Sequence, residues 1–184
     1  MLEQSGANLS LTGAGPPYTS DMVQQGADQA VHVAARAGLA DQVAEMLAKD
    51  PALRDAKGVD ARTPLHCAGT VAVAALLLDH GARIDARDED HHSTPAQWRI
   101  GESPVVARFL LERGAKADIF LAAALGDLPL AERLVAEDRG CLAHRIGKAP
   151  EFPPIGHEGR GGTIYQWTLH FNSYPHQVAL IQGA

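Results

Sequence analysis

Thr63-Pro64-Leu65-His66-Cys67-Ala68 opens a segment that closes with Leu77-Leu78-Asp79-His80-Gly81-Ala82. The opening has a counterpart in Thr94-Pro95-Ala96-Gln97-Trp98, and the closing returns 33 residues later as Leu110-Leu111-Glu112-Arg113-Gly114-Ala115. A second echo brackets the first. Val31-His32-Val33-Ala34-Ala35-Arg36-Ala37-Gly38 leads into Val43-Ala44-Glu45-Met46-Leu47, and 88 residues on Ala122-Ala123-Ala124-Leu125-Gly126 leads into Ala131-Glu132-Arg133-Leu134-Val135. Self-similarity at this period marks stacked supersecondary units rather than one irregular globule.

Each mark has a physical reason. The hydroxyls of Thr63 and Thr94 can take free N–H groups at a helix start, and Pro64 and Pro95 follow where no helix bond is lost. Gly81 and Gly114 fall where a helix must stop in a left-handed conformation, and the Asp-rich stretches 55–60 and 85–90 suit the turns that follow. Ala34, Ala35, Ala68, Ala122 and Ala123 are small enough for neighbouring helices to approach closely. One such hairpin cannot hide its apolar face alone, so successive hairpins must stack.

At these residues the chain resembles the ankyrin-repeat family, from Asp28 to about Ala184, with clear copies at Gly58–Asp88 and Glu89–Asp118. The resemblance implies an all-α solenoid of about five helix-turn-helix units, with short β-hairpin fingers between repeats and a groove used to bind another protein. Residues 1–27, with Gly13, Gly15, Pro16 and Pro17 and no sustained apolar period, read as a flexible leader, and residues 28–184 as the repeat domain.

The pattern is broken in three places. Lys116-Ala117-Asp118-Ile119-Phe120 leaves no room for a full finger between the third and fourth repeats. Residues 147–162, with three prolines and five glycines, form an insertion longer than an ordinary connection, and long loops of this kind are often functional. Thr163-Ile164-Tyr165-Gln166-Trp167-Thr168-Leu169-His170-Phe171 then reads as a strand, giving an extended hairpin arm. Finally, Tyr174-Pro175-His176-Gln177-Val178-Ala179-Leu180-Ile181 begins a fifth inner helix without its outer partner, so a homodimer through this C-terminal helix is one expectation.

Composition excludes several classes. With 16 Lys and Arg against 22 Asp and Glu, and a net charge of -6, the chain lacks the clustered cations that nucleic acid requires. No apolar run approaches a membrane span, and Cys67 and Cys141 make no disulfide framework, which points to a cytoplasmic protein with reduced thiols. Neither cysteine lies in a Cys-x-x-Cys pattern, and His157 with His170, or His91 with His144, lacks zinc-ligand spacing; no metal is expected. No Gly-x-Ser-x-Gly elbow is present, and the glycines at 156–162 lack the Lys-Ser/Thr ending of a phosphate loop, so no cofactor is expected either.

The binding candidates follow from position. His32, His66 and His80 read as structural, because the family's histidine at the first two positions bonds to the backbone of adjacent turns. Asp90, His91 and His92 lie in a finger that the resemblance turns toward the groove, although a solvated turn would look the same. Trp98 is either packing between repeats or an anchor for a partner, and Arg99 beside it favours the anchor. His144, Arg145, Tyr165, Trp167 and His170 belong to the long finger and its arm. Acidic tips favour a basic partner surface. The alternative is a cofactor-independent enzyme acting on a small molecule, with His91, His92, His144, His157 and Tyr165 supplying acid-base groups for dehydration, isomerisation or cyclisation.

Overall fold

The computed structural model describes residues 26–89 and 92–144. Within them the chain forms helical pairs in sequence order: α1 (Gly26–Arg36) with α2 (Ala40–Lys49), α3 (Pro64–Cys67) with α4 (Val71–Asp79), α5 (Pro95–Glu102) with α6 (Pro104–Glu112), and α7 (Ile119–Ala124) with α8 (Leu128–Glu137). Short 3-10 turns occupy Pro51–Asp55, Val59–Ala61 and Arg139–Ala143. The first helices pack on one another in the order α1, α3, α5, α7, and the second helices α2, α4 and α6 form a parallel row. This is an all-α solenoid.

Four of the helices, α4, α5, α7 and α8, start where a short polar side chain takes a free backbone N–H. Thr94 Oγ1 accepts from the Gln97 N–H (3.4 Å), Thr70 Oγ1 from Val73 (3.3 Å), Asp118 Oδ1 from Leu121 (2.9 Å) and Asp127 Oδ1 from Leu130 (3.0 Å), each satisfying an N–H with no intrahelical partner. Pro64, Pro95 and Pro104 occupy first-turn positions where the missing donor costs nothing. The second helices of the middle pairs, α4 and α6, end at Gly81 and Gly114, whose φ values of 83° and 95° suit glycine above any other residue. There the Ala82 N–H reaches back to the Leu77 carbonyl (3.0 Å) and Ala115 to Leu110 (2.9 Å), closing both helices in the same way.

One apolar seam runs through the stack. Val31, Leu47, Leu65, Val73, Leu77, Ile100, Val106, Leu110 and Leu121 are all buried in a single continuous cluster. Ala34, Ala35, Ala68, Ala96 and Ala122 are buried among the first helices, where a larger side chain would hold neighbouring backbones apart.

The expected β-hairpin fingers do not form: no strand occurs among the described residues. The turn after the first pair spends Val59–Ala61 in a 3-10 turn, with Asp60 and Ala61 both left-handed at φ 58° and 56°, so the extended residues Gly58 and Arg62 stand singly on either side of it and build no ladder. The turn is closed by the Gly58 N–H on the Arg62 carbonyl (2.8 Å). In the next turn the Asp88 N–H meets the Ser93 carbonyl (3.2 Å), and the Asp88 carboxylate takes the Ser93 N–H. Adjacent turns share one backbone bond, Glu89 N–H to Asp60 carbonyl (2.8 Å). They are tight turns held side by side. Between the third and fourth pairs the chain passes from Gly114 to the cap Asp118 without a projecting turn.

Several expectations lie outside the described residues: the leader apart from Gly26 and Ala27, which begin α1, the insertion 147–162, the extended arm at 163–171, and the fifth helix with its dimer contact. No described helix is long and apolar enough to cross a membrane.

Candidate functional site

The repeats are registered by one position in the repeat used three times, filled by His32, His66 and Gln97. His66 Nδ1 accepts from the Thr63 N–H (3.0 Å), so Nε2 carries the proton and donates to the Ser93 carbonyl of the next turn (3.1 Å). His32 Nε2 donates in the same sense to the Arg62 carbonyl (2.8 Å). Gln97 does the corresponding work with an amide: Oε1 accepts from the Thr94 N–H (2.8 Å) and Nε2 donates to Asp118 Oδ2 (2.9 Å). Burial pushes His66 down to about 4, an effect only partly opposed by its Ser93 bond and reinforced by the charges of Arg62, Arg99 and His32. His66 is therefore neutral at neutral pH, a structural donor and acceptor rather than an acid-base group.

The second pair departs from the others in length. From Thr63 to the next cap, Thr70, is seven residues, whereas Thr94 to Ser103 and Asp118 to Asp127 are each nine. The helix α3 is therefore only four residues long and ends with open carbonyls inside the protein. Arg99 from α5 fills the gap. It is 2% exposed, and its Nη1 donates to the carbonyls of Cys67 (3.1 Å) and Ala68 (3.3 Å) while Nη2 donates to Glu102. A guanidinium suits this place because its planar fork serves several oxygens at once.

The shortening also draws the α3–α4 link against the end of α1. The Gly69 N–H donates to the Ala35 carbonyl (2.9 Å), and a Cβ at Gly69 would lie 2.2 Å from the Arg36 carbonyl oxygen. Arg36 then reaches over the short helix: Nη2 meets Cys67 Sγ at 3.7 Å and Nη1 lies 3.6 Å from Glu102 Oε2. Burial raises the Glu102 carboxyl, but the Arg99 bond and the charges of Arg99, Arg36 and Arg62 outweigh it and hold it below the usual carboxylate range. Four residues back on α5, and so on the same side of the helix, the half-buried Trp98 ring carries the Arg62 guanidinium 4.9 Å from its centroid. Arg62 is fixed in turn by the Val59 carbonyl (3.1 Å) and by Asp60 (3.5 Å).

The sequence candidates are thus separated. Trp98 lies half-buried under Arg62, and Arg99 is interior, spent on the end of α3. His92 is exposed with φ 47°, its carbonyl accepting from Arg87. His144 is half-buried beyond α8, where its N–H closes the last 3-10 turn on Cys141 (3.2 Å). Asp90, His91, Arg145, His157, Tyr165, Trp167 and His170 lie outside the described residues. Of the acid-base groups in the enzyme alternative only His92 and His144 are described, and they stand on turns before α5 and after α8. Among the described residues no three His, Cys, Asp or Glu side chains are grouped to hold a metal ion.

Sequence reasoning missed Arg36, Arg62 and Glu102. The seven-residue step between caps was the available signal, because a shortened helix needs donors from elsewhere.

The family model described as Ankyrin repeat matches residues 60–89, which comprise the turn at Asp60, the short α3 and all of α4. This bears out the ankyrin-repeat assignment read from the Thr-Pro and Leu-Leu signatures. No curated protein matches the chain.

Proposed function

We propose that this ankyrin-repeat chain is a protein-binding module that recognises another protein through the face of its first helices. The observation that supports the reading is the Arg62–Trp98 stack, an aromatic and a guanidinium held ready at 4.9 Å on a half-buried, solvent-reaching face. Trp and Arg dominate binding energy at protein interfaces because they combine large contact area with directed polar groups. Their positions are preset by the His32 bond to the Arg62 carbonyl and the His66 bond to Ser93, so little ordering entropy opposes docking. The helical scaffold itself is consistent with an interaction module.

Arg62→Ala removes the cation from the ring and keeps the backbone carbonyl that His32 uses. With the partner recovered alongside the intact chain, Arg62→Ala and Trp98→Ala should each raise the dissociation constant at least tenfold, ~1.4 kcal/mol. Lys49→Ala, on the exposed far side of α2, should leave it unchanged. Equal constants for all three variants would overturn the assignment of this face.

A further inference from the structure

The acidic residues of the turns are spent on the turns themselves. Asp88 is 1% exposed and holds Ser93. Asp55 accepts from the Arg83 N–H (3.0 Å) and Asp85 from the Lys116 N–H (3.0 Å), while Glu89 pairs with Lys57 (3.5 Å). On the first-helix face Arg62 and Arg99 are held by several partners, and Arg36 is the more loosely engaged cation. Among the described residues Arg36, with its side chain 53% exposed, makes long contacts to Cys67 and Glu102, although a guanidinium offers five donors. Arg62 lies over Trp98, and among the described residues the Nε–H of the buried Arg99 has no hydrogen-bond partner. Two guanidinium groups thus meet one carboxylate, Glu102, which shares its Oε2 between Arg36 and Arg99, and the Arg62 charge lies near enough to act on it as well.

Resting on the protein-binding reading above, we propose that Arg36 and Arg62, flanking Trp98 and Glu102, form a carboxylate-binding site for an acidic segment of the partner protein. The incoming carboxylate takes the solvent-exposed donors of Arg36, and the apolar part of the segment covers the half-buried Trp98 ring. Guanidinium groups prefer carboxylates because two parallel N–H donors match two oxygens. The whole chain carries -6, so the attraction is local to this cluster and fades beyond a Debye length of about 8 Å at physiological salt. The expected partner surface is therefore acidic, opposite to the one suggested by the acidic composition of the turns.

The test uses the full-length, isotope-labelled chain and two blocked peptides, hexaglutamate and hexalysine. Hexaglutamate should shift the Nε–H resonances of Arg36 and Arg62 and the indole N–H of Trp98 saturably, and added salt should weaken its binding. Arg36→Ala, which removes an exposed side chain with long contacts, should weaken binding several-fold, and Arg36→Ala with Arg62→Ala at least about tenfold. Unshifted resonances, equal shifts with hexalysine, or undiminished binding by Arg36→Ala would overturn the proposal. Hexalysine binding at these resonances would keep the interaction face and discard the acidic partner. Conversely, a hexaglutamate site that survives while partner capture ignores Arg62→Ala would stand without the protein-binding reading.

Discussion

The second and third helical pairs open with the same Thr-Pro pair, yet α3 stops after four residues and α5 continues for eight. Their caps are alike, so local helix initiation does not explain the difference. In α3 the chain leaves the helix early, and its last carbonyls find donors on Arg99, 31 and 32 residues away. In α5 the helix runs on until the Ser103 N–H closes on the Arg99 carbonyl (2.8 Å). A short helix inside a stack is stable only if a neighbour completes it, and here the longer helix does so. The same residue that completes α3 anchors Glu102 and so sets the edge of the exposed face.

Removing the completing side chain should break this relation most severely. Arg99→Ala strands two interior carbonyls and leaves a void, and unfolding by urea should show a loss of about 4 kcal/mol. A loss below about 1 kcal/mol would mean that α3 needs no help.

The register bond below Arg99 gives a pH test that sharpens the comparison, because Gln97 already performs the His66 role without titrating. His66 is held at about 4 against an ordinary 6.5. Between those values the unfolded chain takes up a proton that the folded chain refuses, so stability is full above 6.5 and falls as the pH drops toward 4. The loss from this group should reach about 3 kcal/mol at the acid end. His66→Gln, copying the third pair, should flatten that part of the stability profile; an unchanged slope would remove His66 as its source.

The smallest expected effect lies at the α3–α4 link. Gly69→Ala places a methyl group 2.2 Å from the Arg36 carbonyl oxygen, which backbone atoms must move to relieve, at about 2 kcal/mol. Thermal unfolding of this variant should show the loss directly, and an unchanged midpoint would show that the link is not pressed against α1.

Much of the scaffold was legible. The Thr-Pro openings, the Leu-Leu-x-x-Gly-Ala closings and the buried alanines locate the helices and their order, because caps, helix ends and small-residue contacts are local requirements written into adjacent residues. The β-hairpin fingers were not legible. Asp-rich turn segments accept a 3-10 turn as readily as a hairpin, and the left-handed Asp60 and Ala61 together with the inward Asp88 decide between them. Trp98 was read as either packing or anchor, and the structure places it half-buried under Arg62. Arg99 looked like a surface partner of Trp98, yet adjacent residues on a helix point about 100° apart, which sends one toward the solvent-reaching face and the other into the core.

By itself the sequence determined the repeat, the α-helical solenoid, the Thr-Pro starts of the second and third pairs and their glycine stops, since these follow from side chains acting on their own backbone within a few residues. Only the tertiary structure decided that Arg99 is interior, that Arg36 meets Glu102 across a shortened helix, and that Arg62 covers Trp98. Those contacts join residues 31 to 66 positions apart, and the two-residue shortening that brings them together acts through the packing of three successive repeats.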